Sequence, residues 1–270
     1  MSSCTDLSPM AWQNGRSRRN TLMIMGAWLL SLMLCLALPL TAVPWYGVVG
    51  LVMLRSFCHT GMFIIAHDAA HGTLWVGDRQ RNDRWGQVAI FLYALLPFDR
   101  FVWNHGLHHD RAGRVGDPDY HDGRNSHPLR WYGKFMTGYL DDPLRFQIFI
   151  WFTVFFHLVR FVFDVQITNL LLFWVLPILL SSLQLFFFGT YLPHREPAQG
   201  YTNPHHAYSN GFPEWLSLLT CYHFGYHYEH HEFPHLPWFM LPKPRWQRDS
   251  KAAPQSQTDQ IKSAGLQEPY

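Results

Sequence analysis

From Thr21 to Leu40 the chain runs about twenty positions without a charged side chain. At 1.5 Å of rise per residue, such a helix crosses roughly 30 Å of hydrocarbon. Three more stretches read the same way, from about Trp45 to Ala66, Phe146 to Phe163 and Ile167 to Leu192, and Arg55 and Arg160 are the basic residues within them. Pro39 and Pro44 bracket a tight turn between the first two runs, and each pair reads as a helical hairpin. Arg16, Arg18 and Arg19 precede the first run, but its apolar core is longer than that of a cleaved signal peptide. Charged residues make up 15% of the 270, against about 25% in soluble domains, which excludes a disordered chain and argues against a soluble enzyme. A net charge of +2 gives no support to a nucleic-acid partner.

The basic residues set the expected orientation. Residues 1–20 hold three Arg, the loop 67–145 holds ten Lys or Arg, and 193–270 holds six, while the turns 41–44 and 164–166 hold none. By the positive-inside rule both termini and the long middle loop lie in the cytoplasm, at the cytoplasmic membrane. Arg160 stands four residues before Asp164 and can pair with it or snorkel, whereas nothing in the sequence accounts for Arg55. Residues 82–103 are apolar and aromatic but too short between charges to span, so an interfacial or re-entrant segment is expected. The expected organisation is an N-terminal tail over 1–20, a membrane catalytic domain over 21–246, and a polar, aperiodic, disordered tail over 247–270. Cys4, Cys35, Cys58 and Cys221 form no CxxC and no regular framework, so neither a disulfide scaffold nor a zinc ribbon is expected.

The other outlier is histidine, with 17 residues. Three clusters stand out: His67 with His71, His105 with His108 and His109, and His227 with His230 and His231. Their spacings are i,i+4 once and i,i+3,i+4 twice, which on a helix project side chains from one face. Two hairpins return the chain to the face where it began, and each cluster follows a return. The fold expected is therefore an all-α integral membrane protein, four transmembrane helices in two hairpins under a cytoplasmic, histidine-rich helical cap. Eight imidazoles are too many for one four-coordinate ion and suit two metals, each with an open position.

A ninth ligand is expected at His205, with His194 and His223 as the alternatives; His206 and His235 also lie in that region. Asp68, Asp117 and Glu229 are the carboxylates expected at the catalytic centre, orienting ligating imidazoles, with Asp119 beside them, although Asp117-Pro118-Asp119 also reads as a simple turn. His121, His127 and His157 are read as ordinary surface or core histidines. Oxidation of aliphatic C–H bonds in a lipid needs a cofactor that activates dioxygen, and two irons with open positions can do so. Aromatic residues near the clusters, such as Phe98, Phe101, Trp103 and Trp238, suit a long apolar tunnel or an interfacial belt.

HDAAHG (67–72), HGLHHDRAGRVGDPDY (105–120), LQLFFFGTYLPHR (183–195) and LSLLTCYHFGYHYEHHEFPHLPW (216–238) resemble the membrane fatty-acid-desaturase-like superfamily and, more narrowly, the β-carotene ketolases. The resemblance covers about residues 45–245. The histidine boxes carry the superfamily and the two later segments carry the ketolases. In Pro204-His205-His206-Ala207-Tyr208-Ser209, His205 matches the family pattern and His206 and Tyr208 depart from it. The resemblance implies a di-iron oxygenase using O2, which hydroxylates C4 of a β-ionone ring twice and loses water to leave a ketone. It implies β-carotene or a related carotenoid as substrate and electrons from an external donor such as a ferredoxin, since the chain carries no flavin, haem or iron–sulfur motif. Two other readings stay open: a fatty-acyl desaturase or lipid hydroxylase using the same histidines, and a metal transporter. Transport sites usually lie near the bilayer midplane, whereas these clusters lie outside the spans.

Overall fold

The computed structural model describes residues 8–121, 123, 125–139 and 142–252. Among these residues every regular element is helical. Four helices are long and apolar enough to cross a membrane: α1 (Ser8–Leu36), α2 (Trp45–Ala70), α6 (Asp142–Val162) and α7 (Ile167–His194). Between α2 and α6 lie α3 (Arg79–Ala94), α4 (Phe98–Arg111) and α5 (Pro128–Gly138), and after α7 come α8 (Glu214–Cys221), α9 (His227–Glu232) and α10 (Pro242–Ala252).

Local chemistry sets most of these boundaries. Pro44 caps α2, and a short 3-10 turn at Leu40–Ala42 joins it to α1. The Asp78 side chain accepts the backbone N–H of Arg81 and caps α3. Leu95, at φ 56°, ends α3 in the left-handed conformation, and Pro97 then starts α4. The segment expected to lie at the interface is thus a helix–turn–helix, with α3 packed along α2. His127 caps α5 through its ring, which accepts from the Leu129 N–H at 3.3 Å, in keeping with the ordinary role expected of it.

α2 is the central element and packs against α1, α3 and α7. Arg55, unexplained by the sequence, is fully buried here. Its Nε donates to the Phe173 carbonyl (3.1 Å), and its Nη1 donates to the Trp28 carbonyl and to Ser31 Oγ (2.9 Å each). The Phe173 carbonyl lacks the usual donor four residues on, because Pro177 has no N–H, and α7 widens into a π-helix over Leu171–Val175. Arg55 therefore fills a hydrogen-bonding gap left by a helix-breaking proline. A second π segment, Phe186–Tyr191, precedes Pro193 and His194.

The two ends differ from the tails expected. Residues 8–20 are the first turns of α1. Asn14 exchanges hydrogen bonds with the backbone of Val76, Ser17 Oγ donates to the Thr73 carbonyl, and the Arg16 guanidinium lies over the Phe239 ring. Those contacts strap α1 to the loop behind the first histidine cluster. Of the expected disordered tail, 247–252 belong to α10, and 253–270 lie outside the described residues.

α6 stands apart. None of its side chains is buried, and it meets the rest through ring pairs such as Phe91–Phe155 (6.2 Å between centroids) and Phe152–Trp174 (5.6 Å). Between α6 and the other helices lies a cavity of about 600 Å³, lined almost wholly by apolar side chains. Phe63 of α2 and Phe101 of α4 line it on the side of the histidine clusters.

Candidate metal centre

The first histidine cluster sits at the end of α2, the second on the last turn and a half of α4, and the third on the short helix α9. α9 is aimed by an unusual turn. Tyr222 and His223 both adopt positive φ (49° and 62°), conformations costing of order 1–3 kcal/mol that surrounding packing must hold. Tyr222 stacks on Phe57 at 4.4 Å and meets Trp238 edge-on, which supplies that packing. Gly189 of α7 lets the Phe224 ring approach, since a Cβ there would lie 2.3 Å from it.

Two groups of imidazoles result. His67, His71, His105 and His230 form one, and His108, His194, His227 and His231 form the other; within each group the ligand atoms lie within 4.8 Å of one another. The nitrogens that meet are Nε2: His67–His230 at 3.1 Å, His71–His105 at 2.8 Å, His231–His108 at 3.2 Å and His231–His227 at 3.1 Å. His109 Nε2 joins the first group, 2.9 Å from His230 and 3.2 Å from His105, while its ring lies tilted 4.3 Å from that of His231. It stands between the two groups.

This donor set fits two metal ions. Nitrogens bound about 2.0–2.1 Å from one ion stand about 2.9–3.4 Å apart at octahedral or tetrahedral angles, the range seen here. Hydrogen bonds do not satisfy such a cage, because five Nε2 atoms crowd the first group and a neutral imidazole carries one N–H. In the second group His194 Nε2 is buried without a hydrogen-bond partner. Several Nδ1 atoms are held from behind, which turns Nε2 inward. His108 Nδ1 donates to Asp117 (3.0 Å), His194 Nδ1 to the His206 carbonyl (2.8 Å), and His227 Nδ1 to the Phe224 carbonyl (3.3 Å).

The electrostatics favour neutral, ligating imidazoles. Burial, followed by the charges of neighbouring histidines, holds His105, His227, His230 and His231 well below the usual histidine range. The same causes bring His109 down to about 2, and burial with the Arg79 charge brings His71 to about 4. His108 is the exception. Burial pulls it down, but the charge and hydrogen bond of Asp117, with Asp119 behind it, raise it overall.

The carboxylates named from the sequence fall in three places. Asp117 is at the centre of the second group, accepting from His108 and from the N–H groups of Gly113 and Asp119. Asp68 lies 3.4 Å from His67 Nδ1 and accepts the Trp238 N–H, tying the first cluster to the segment after α9. Glu229 faces away from the imidazoles, accepting from Ser209 Oγ and pairing with Arg248 of α10 at 2.8 Å, so it holds α9 and orients no histidine ring. His205, expected as the ninth ligand, pairs with Glu232 at 2.7 Å near the surface. His194 stands inside the second group instead. Its signal in the sequence was its position directly after the fourth span, on the side where the clusters gather. His223 lies outside both groups, stacked on Tyr226 and Trp238. His59, not singled out from the sequence, is buried in α2; its Nδ1 accepts from Trp28 Nε1 (3.1 Å) and its Nε2 donates to the Tyr93 carbonyl (3.0 Å).

The fatty acid desaturase family model matches residues 43–258, a stretch that carries all nine inward-facing histidines. The chain belongs to the fatty acid desaturase family. As a member of it, the chain is 39% identical over 193 residues to the beta-carotene ketolase of Paracoccus sp. (strain PC1), covering 70% of this chain and 76% of that protein. It is 36% identical to the zeaxanthin 4-ketolase of Chlamydomonas reinhardtii over 83% of this chain and 50% of that longer protein. The beta-carotene 4-ketolase 3 of Haematococcus lacustris is 39% identical over 69% of this chain and 58% of its own length. No solved structure matches the chain.

Proposed function

We propose that this chain is a membrane-bound carotenoid 4-ketolase that introduces keto groups at C4 and C4′ of β-ionone rings, with β-carotene or a related carotenoid as substrate. The observation that carries this reading is the junction of the first of two adjacent imidazole groups with a large apolar cavity: Phe63 stacks over His67 (6.3 Å) and Phe101 over His105 (5.7 Å), and both rings line the cavity. A long hydrocarbon can lie in that cavity and present one ring methylene to the histidine end. The relatives' names supply the substrate class.

Two iron ions fit the donor set: His67, His71, His105, His109 and His230 would hold one, and His108, His194, His227 and His231 the other. When bound, iron supplies the activation of O2 that oxidation of an unactivated C–H bond requires. The chain's own residues supply position and dryness. The Phe63 and Phe101 rings exclude water from the reacting carbon, and Asp117 fixes the ring orientation of His108. Two successive hydroxylations of one methylene give a geminal diol, which loses water to leave the ketone. Electrons come from an external donor such as a ferredoxin. The distribution of basic residues supports a cytoplasmic position for the histidine groups and both termini, at the cytoplasmic membrane.

Expression in a β-carotene-producing host tests the reading. New 4-keto-carotenoids and an orange-to-red shift are expected. Unchanged carotenoids with new double bonds or hydroxyls in acyl chains would overturn it.

A further inference from the structure

The cavity is apolar except at five side chains that carry a hydrogen-bonding group: Trp28, Tyr93, Tyr139, Ser182 and Trp174, the last of which packs against Phe152 and Phe156 of α6. Two of these are fully engaged by protein. The Trp28 indole N–H donates to His59, and the Ser182 hydroxyl meets Tyr132 (2.7 Å) and the Leu179 carbonyl (2.9 Å). The two phenols are not. Among the described residues the Tyr93 hydroxyl meets Ser181 Oγ at 3.3 Å, which uses one of the two roles a phenol can play. Tyr139 lies beside the Asp119 carboxylate.

Their positions are not random along the cavity. Tyr93 packs edge-on against Phe63 (5.6 Å), and Tyr139 lies 6.4 Å from Phe101. Phe63 and Phe101 contact each other at 5.5 Å and are the rings that lie over His67 and His105. The phenols therefore flank the aromatic floor on which a substrate ring would rest. A purely hydrocarbon ring leaves their remaining hydrogen-bonding capacity buried without a partner, whereas a ring bearing oxygen satisfies it.

We propose that Tyr93 and Tyr139 form a hydroxyl-reading subsite at the histidine end of the cavity, which favours ionone rings that already carry a hydroxyl group over unsubstituted ones. This rests on the carotenoid reading and deepens it by naming the preferred ring. Both tyrosines are specificity-determining residues.

The test compares kcat/KM for a 3-hydroxylated carotenoid (zeaxanthin) and for β-carotene, using full-length protein in detergent or native membranes, with iron content measured in parallel. One buried hydrogen bond contributes about 0.5–1.5 kcal/mol, roughly two- to tenfold in affinity. Tyr139→Phe and Tyr93→Phe are each expected to lower the zeaxanthin-to-β-carotene ratio by about that factor, mainly through a raised KM for zeaxanthin, with iron retained. Tyr93 touches no residue of the histidine groups, so its variant reads the proposal even if Tyr139→Phe loses iron through Asp119. A ratio unchanged in Tyr93→Phe with iron bound overturns the inference. Wild-type protein that ketolates neither carotenoid overturns the functional reading instead.

Discussion

The two imidazole groups use the same residue type but are supported differently. The first is backed by aromatic rings: Phe63 and Phe224 lie against His67, and Phe101 lies parallel to His105. A carboxylate beside it, Asp68, approaches His67 at 3.4 Å and is also engaged by the Trp238 N–H. The second is backed by polar groups: Asp117 on His108, and the backbone carbonyls of His206 and Phe224 on His194 and His227. The first group thus looks into the apolar cavity, and the second faces the hydrogen-bonded loops. A ligating imidazole whose far nitrogen donates to a carboxylate is more basic and better oriented. On the proposed reading the second group would hold its ion the more tightly, and the first would meet the apolar substrate.

The largest effect that would break this comparison is loss of a ligand. His71→Ala in the first group and His227→Ala in the second are each expected to remove about half the bound iron and to lower ketone formation by more than ~100-fold, since outer partners alone are worth 10–100-fold. Iron analysis of purified protein checks it; loss of all iron from either variant would merge the two groups into one site. Next is Asp117→Asn, expected to weaken metal retention by ~10–100-fold in chelator-competition assays, with a smaller effect from Asp68→Asn.

A pH titration of the metal-free protein sharpens the contrast further. The buried histidines, His109 (about 2) and His71 (about 4) among them, have folded-state values below the unfolded one. Their neutral burial favours folding fully above about 6.5, and that advantage is lost as pH falls below it, because the unfolded chain then binds more protons. Denaturation at pH 7.5 and 5.5 should differ by of order 1 kcal/mol for each such histidine. His108 has the opposite sign: its raised value adds stability below about 6.5 that fades as pH rises through the folded-state value, which partly offsets the others. Bound metal should steepen the profile, because it holds the imidazoles, His108 included, deprotonated where the unfolded chain takes up protons. The smallest effect is His205→Ala. Its partly exposed pair with Glu232 is worth about 0–1 kcal/mol, so near-normal iron and activity are expected, whereas His194→Ala should behave as a ligand variant.

The four apolar helices were legible because the bilayer imposes a length and an absence of charge, both one-dimensional properties. The clusters were legible because i,i+3,i+4 spacing on a helix already fixes direction. α2 and α6 mark the limit of this reading. Both are apolar stretches of membrane-crossing length, yet α2 is buried on several sides and carries two imidazoles, while α6 buries no side chain and walls the cavity. Hydropathy cannot separate them, because lipid and protein core are equally apolar neighbours. Arg55 was opaque for a related reason, its partners lying on other helices: the Trp28 carbonyl and Ser31 on α1, and the Phe173 carbonyl, which lacks the Pro177 donor, on α7.

What the sequence alone determined was the class of the molecule, an all-helical chain with four membrane-length helices and imidazoles enough for two metals. Composition, length and local spacing carry those properties without reference to distant neighbours. Only the tertiary structure decided that His194 and not His205 turns inward, that Glu229 braces α9 from outside, and that two phenols flank the cavity floor. Each of these depends on which way a side chain points after segments far apart in sequence have packed, and no local spacing encodes that.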